Sequence, residues 1–130
     1  MTRNLNYDTI IIGAGVSGLI LANEIIERTN KHVVVLEKKR KFLYEKNLCY
    51  WNKPKNEITK LFNNKWKNIS IIINGEKKTL CSEDIEYLRI NSKTFYHYYL
   101  KKLKSNHRFS IIMNCEVLSK NKKEEFIIST

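Results

Sequence analysis

Six residues near the N-terminus, Gly13-Ala14-Gly15-Val16-Ser17-Gly18, restrict the possible folds of this chain more than any other feature. They follow Asp8-Thr9-Ile10-Ile11-Ile12, an apolar, β-branched run whose unbroken hydrophobicity suits a strand of a parallel sheet covered on both faces. From Val16 the apolar residues recur at Val16, Leu19, Ile20 and Ile26, with Leu21 and Ala22 between them and Glu24, Glu27 and Arg28 opposite. That spacing predicts a helix to about Thr29. Asn30-Lys31 connects it to a second buried strand, Val33-Val34-Val35-Leu36, which ends on Glu37. The segment reads as a βαβ unit.

A GxGxxG pattern is a weak signal alone and a strong one between a strand and a helix. Gly13 permits the tight turn. Gly15 keeps a Cβ away from the place where a pyrophosphate touches the backbone, and Gly18 lets the helix lie against the strand. Phosphate charge then sits on unpaired helix N–H groups at the positive end of the macrodipole. Glu37 stands where a carboxylate can accept both ribose hydroxyls and repel a 2′-phosphate, which disfavours NADP. The expected ligand is the ADP half of a dinucleotide, FAD or NAD.

Residues 38 to 56 are polar, basic and carry the only proline, Pro54; they are expected to form a long loop. Lys38-Lys39-Arg40-Lys41 within it reads as a solvated run, with a phosphate clamp as the alternative. Ile58, Leu61 and Phe62 predict a short helix. Ile69 to Ile73 and Lys77 to Leu80 flank Asn74-Gly75, the dipeptide of a type I′ hairpin, so an excursion from the parallel sheet is expected there. Tyr87 to Ile90 is a further strand, and Ser92 is placed to cap a helix with Phe95, Tyr99, Leu100 and Leu103 inward. Phe109 to Met113 returns as a buried strand, followed by Cys115 to Leu118, a turn at Lys120 to Lys123, and a last strand at Phe126 to Ser129.

A chain of 130 residues fits one domain, residues 1–130, with a single core. No apolar run is long enough to span a bilayer and the N-terminus lacks a signal-peptide stretch, so a cytoplasmic protein is expected. Cys49, Cys81 and Cys115 are unpaired in spacing and read as reduced, Cys81 and Cys115 as small buried hydrophobes. His32, His97 and His107 have no ligand-spaced neighbours, so no metal is expected. The net charge of +11 raises the question of a nucleic-acid partner, but only 5 of the 24 basic residues are arginine. The lysines scatter over every segment, which points to compositional drift and away from nucleic acid. A basic nucleic-acid module remains the rival of a different class, distinguished by steep salt dependence of DNA binding.

The stretch from Tyr7 to Lys38 resembles the FAD fingerprint of the flavoprotein monooxygenase and lycopene cyclase superfamily. Leu48-Cys49-Tyr50-Trp51, Trp66, Gly75, and Tyr87 through Arg89-Ile90-Asn91-Ser92 to Phe95-Tyr96 narrow it, because together they resemble the N-terminal third of lycopene cyclases. That family carries a TWCFW cluster after the fingerprint; here Asn47-Leu48 stands for Thr-Trp, while Cys49 and Trp51 are kept. The resemblance implies an α/β Rossmann-type FAD domain, incomplete at this length, in a protein that closes the ends of linear lycopene without net redox change. It implies FAD as cofactor, a carotenoid substrate and peripheral membrane contact through a basic surface. The cofactor-binding residues are expected to be Gly13, Gly15, Val16, Ser17, Gly18, Glu37, Lys38 and Val117, with the catalytic acids beyond Thr130. A hydroxylase or geranylgeranyl reductase of the same superfamily is the nearest alternative. Cys49, Tyr50 and Trp51 are expected as a packed loop or as a lining of the flavin or polyene side. Trp66, Tyr96, Tyr98 and Tyr99 are expected as packing residues. Ile111, Ile112, Ile127 and Ile128 are expected to leave apolar surface on a chain that binds FAD weakly and does not cyclise lycopene alone.

Overall fold

The computed structural model describes residues 6–43, 46–52, 57–81, 83–120 and 126–129. In chain order these form β1 (Thr9–Ile12), α1 (Val16–Arg28), β2 (Val33–Glu37), β3 (Asn47–Asn52), a 3-10 turn (Glu57–Leu61), β4 (Asn64–Trp66), β5 (Asn68–Ile73) and β6 (Glu76–Cys81). They continue with β7 (Glu86–Asn91), α2 (Ser92–Lys104), β8 (Phe109–Met113), β9 (Glu116–Lys120) and β10 (Phe126–Ser129). The chain divides into two units, Met1–Phe42 with His97–Thr130, and Leu43–Tyr96.

The first unit holds a parallel sheet in the order β1-β2-β8. The middle strand has a neighbour on either side, Thr9 opposite Val33 and Val33 opposite Phe109, and its four apolar residues Val33 to Leu36 are all buried. This is why β2 reads as a continuous apolar run, whereas the outer strand β1 leaves Ile10 and Ile12 exposed. Helix α1 buries Leu19, Ala22, Asn23 and Ile26, an i, i+3, i+4, i+7 stripe. Burial of Leu19 alone is worth about 1.5–3 kcal/mol before conformational entropy. Leu21 lies half exposed and Asn23 takes an inner position, because two residues at 3.6 per turn set them on roughly opposite sides of the helix.

The C-terminus of α1 is closed by a residue far along the chain. Arg108 donates from Nη2 to the Ile26 carbonyl at 2.9 Å and from Nη1 to the Thr29 carbonyl. A cation there also complements the negative end of the helix dipole. Arg108→Ala is expected to lower stability by about 1.5–3 kcal/mol, the value of charge-assisted hydrogen bonds to orphan carbonyls, read as a drop in the denaturant midpoint. Arg108→Lys, which cannot fork across two carbonyls, should recover only part of it.

At the sheet's carboxyl end Asn114 adopts φ +56°, a left-handed conformation that asparagine tolerates. Its Oδ1 accepts from Arg40 Nε at 3.2 Å, and Cys115 N–H donates to the Glu37 carbonyl at 2.9 Å. Cys115 is buried in one cluster with Val34 and Leu36, against which Tyr7 and Val117 pack. β9 then pairs antiparallel with β10. Ile111 is partly buried and Ile112 exposed; the side chains of Ile127 and Ile128, and the turn expected at residues 121–123, lie outside what is described.

The second unit is antiparallel. β7 lies between β3 and β4, with Tyr50 opposite Leu88, Trp51 opposite Tyr87 and Trp66 also opposite Tyr87. The expectation of an irregular loop over residues 38 to 56 is corrected here: Asn47–Asn52 is a strand, while Pro54 lies outside the described residues. Its polar ends hide a two-residue alternation, Leu48 and Tyr50 partly buried and Cys49 and Trp51 exposed, that only pairing with distant β7 makes regular. The buried side of β7 carries Leu88 and Ile90. Tyr50 meets Phe62 edge to face at 4.9 Å, and burial pushes the Tyr50 phenol above its ordinary value. Trp51, Tyr87 and Trp66 line the opposite side in a row, with centroids 5.1 and 6.1 Å apart.

β5 and β6 form the expected hairpin, with Asn74 at φ +51° and Gly75 at φ +83°, the positive pair that a type I′ turn requires. Cys81, expected to be buried, is exposed because every residue of β6 is exposed. The cap of α2 also moves by one residue. Asn91 Oδ1, not the Ser92 hydroxyl, accepts the N–H of Lys93 at 2.8 Å, and Ser92 Oγ is buried without a hydrogen-bond partner among the described residues. Phe95, Tyr99 and Leu103 point inward as expected, and Leu100 is only partly buried.

Candidate functional site at the glycine turn

The carboxyl ends of β1 and β2 and the N-terminus of α1 converge on the glycine turn. Gly13 N–H continues the sheet by donating to the Leu36 carbonyl at 2.8 Å, and the chain then turns sharply, with Gly13 at φ +96°. Only glycine takes that conformation without strain. Gly15 follows as the residue before the helix, at φ −73° and ψ −175°, and its carbonyl accepts the first helical bond from Leu19 N–H at 3.0 Å. The N–H groups of Val16, Ser17 and Gly18 lie too early in the helix for an intrahelical acceptor. No side chain caps them, and the first turn holds no acid. The local field is therefore positive and its donors are available.

Gly15 and Gly18 differ in what surrounds them. A Cβ built on Gly15 meets nothing within 4 Å, so open space lies before the helix end. A Cβ on Gly18 falls 2.1 Å from the Gly13 carbonyl oxygen and 3.5 Å from Ile11 Cγ2. The second glycine of the motif leaves room for a ligand; the third lets helix and strand touch.

Glu37 ends β2 partly buried, and its carboxylate braces the turn. Oε2 accepts the Ala14 N–H at 2.7 Å and Oε1 accepts the Lys39 N–H at 2.9 Å. Ala14 itself is buried. The motif spacing pointed to a carboxylate at this place but not to this backbone brace, for which nothing local in the sequence is a signal. A carboxylate offers about four lone-pair directions, so two remain for ribose hydroxyls.

The other expected site residues stand nearby. Lys38 Nζ is held by Glu116 Oε1 at 2.8 Å, a hydrogen-bonded pair that raises its ammonium above the ordinary lysine value. Both ends are solvent-exposed, so the pair adds little to stability. Val117, the next residue of β9, is partly buried against Val34, Leu36 and Cys115. At the opposite end of the sheet, Asp8 Oδ2 accepts the His32 N–H at 2.7 Å, and this bond holds the Asp8 carboxyl below its usual range. Among the described residues no cluster of histidine, cysteine, aspartate and glutamate fits a metal ion.

A family model described as "Lycopene cyclase protein" matches residues 8–126, nearly the whole chain. The chain belongs to the lycopene cyclase family. Its fold is shared with solved structures at low sequence identity. PqsL of Pseudomonas aeruginosa, described as a probable FAD-dependent monooxygenase, is 16% identical with a TM-score of 0.66, over 92% of this chain and 36% of that one. A geranylgeranyl bacteriochlorophyll reductase-like protein of Thermoplasma acidophilum gives 18% and 0.63, over 89% and 32%. CtdE, solved in complex with FAD, gives 18% and 0.56, over 87% and 31%. No curated protein matches the chain. This lycopene cyclase family member thus spans about a third of the length of these neighbours. The α/β fold with a parallel sheet is as expected, and among the described residues no helix is long and apolar enough to cross a membrane.

Proposed function

We propose that this chain is the FAD-binding portion of a lycopene cyclase-type flavoprotein. The observation that carries the reading is the open space in front of Gly15, bordered by the free N–H groups of Val16 and Ser17 and by Glu37. Those groups match a pyrophosphate and a ribose in charge and hydrogen-bonding sense. In this reading Gly13, Gly15, Val16, Ser17 and Gly18 hold the pyrophosphate by backbone contact, Glu37 accepts the ribose hydroxyls, and Lys38 and Val117 border the nucleotide from the strand ends. A reduced flavin held by these residues would supply charge stabilisation or a proton for ring closure of a linear carotenoid, with no net redox change.

The test is calorimetric titration of the chain with FAD. Glu37→Ala is expected to weaken binding by about 1.5–3 kcal/mol, the worth of charge-assisted hydrogen bonds, after thermal melts have separated any loss of the Ala14 brace. Equal affinity in the variant would remove Glu37 from the site. A second reading, a flavin monooxygenase or reductase, draws support from the PqsL and reductase-like folds. Product analysis of the chain with reduced FAD and lycopene in detergent is expected to show no cyclic product, because the chain is read as the FAD-binding portion alone, and turnover by it would overturn that reading. The net charge of +11 favours approach to an anionic membrane surface, where an apolar polyene is found.

A further inference from the structure

The β5–β6 hairpin presents a face whose end nearest the turn, at Ile71 and Ile73, is exposed. Residues in register share a face, so Ile69 with Leu80, Ile71 with Lys78, and Ile73 with Glu76 lie on one side. Ile72 with Lys77 and Ser70 with Thr79 lie on the other, where the two hydroxyls bond at 2.9 Å. The first face is apolar but for one acid and one base. Ile71, Ile73, Asn74, Glu76 and Lys78 line an open concavity of about 430 Å³ on it. Ile73 is 66% exposed and Ile71 44% exposed, and neither Glu76 nor Lys78 is in an ion pair among the described residues. A two-stranded hairpin is marginal in water unless it packs on something.

We propose that this face is a self-association surface whose occupant is a second copy of the same chain. The charges carry the argument. Glu76 and Lys78 stand two residues apart on one strand and one face. A two-fold axis lying in the interface, across the strands at the level of Ile72 and Lys77, turns each copy end for end. It sets Glu76 against the second copy's Lys78 and Lys78 against its Glu76. The same operation sets Ile73 against Ile71 of the other copy on the neighbouring strand, so both pairs are satisfied twice, as an isologous interface demands. Face-to-face packing of two twisted sheets about 10 Å apart has this form. A partner of one charge sign would leave either Glu76 or Lys78 opposed. The footprint is small, so the dimer is weak and concentration-dependent.

Sedimentation equilibrium of the whole chain, from low micromolar to several hundred micromolar, tests this. Wild type is expected to shift from monomer to dimer across that range. Glu76→Lys and Lys78→Glu are each expected to weaken association at least about tenfold, since each sets like charges together at two places. The double variant E76K/K78E keeps the net charge and restores complementarity, so the dimer should return. Ile72→Lys, on the opposite face of the same strand, should leave association unchanged. Monomer at every wild-type concentration, dimers unaffected by the single reversals, no rescue in the double variant, or equal dissociation by Ile72→Lys would each overturn the proposal.

Discussion

Gly15→Val is expected to abolish FAD binding while leaving the fold in place. The two effects separate because of what surrounds this glycine. Its φ of −73° suits any residue, and a Cβ there meets no protein atom within 4 Å. The variant should therefore melt close to wild type, within the roughly 1 kcal/mol that a β-branched residue costs at a helix N-terminus. The space that receives the new side chain is the space a pyrophosphate needs, and an isopropyl group in it also shields the N–H groups of Val16 and Ser17. Calorimetry with FAD should show no heat of binding at concentrations that saturate wild type, and the purified variant should carry no flavin absorbance. Unchanged affinity would sink the assignment of this turn to the cofactor.

Gly18→Ala should do the reverse, damaging the fold first. One methyl group placed 2.1 Å from the Gly13 carbonyl oxygen must push α1 off β1 or distort the turn, because the obstructing atom is backbone and cannot rotate away. Overpacking in a close-packed core costs about 1–3 kcal/mol and more where backbone must move, so a loss of about 3 kcal/mol is expected. For a domain of this size that lowers the melting temperature by more than ten degrees on the scale of roughly 4 °C per kcal/mol. The measurement is a denaturant or thermal melt in the absence of nucleotide. A Gly18→Ala protein as stable as wild type would mean that the helix lies farther from the strand than this structure has it. FAD binding should fail in both variants, and only the melts tell them apart.

The contrast between these two positions was legible in the motif, which expects Gly15 at a ligand and Gly18 at the helix–strand contact. The pattern of glycines, the apolar run before it and the carboxylate after the second strand predict a βαβ unit with boundaries within one residue of those found. The Asn74-Gly75 hairpin was equally legible, since positive φ at two successive residues admits few alternatives. These are local signals, in which neighbours along the chain fix the backbone.

Distant partners decided the remainder. Asn47 to Asn52 looked irregular because its polar ends and its position after a basic run mask a short alternation; pairing with β7, some forty residues on, makes it a strand. Cys81 read as a small hydrophobe, yet the hairpin that carries it leaves all of β6 exposed. Arg108 gave no sign of closing a helix that ends eighty residues earlier, and Asn23 none of being buried.

By itself, then, the sequence determined the strand, turn and helix at the N-terminus, the acidic end of β2 and the type I′ hairpin, because each follows from backbone sterics and periodicity within a few residues. Only the tertiary structure decided that β2 lies between β1 and β8, that the Glu37 carboxylate braces Ala14 and Lys39, and that Lys38 pairs with Glu116. Each of those depends on which distant segments meet and in what register, and a one-residue slip in strand pairing would turn every such side chain to the other face.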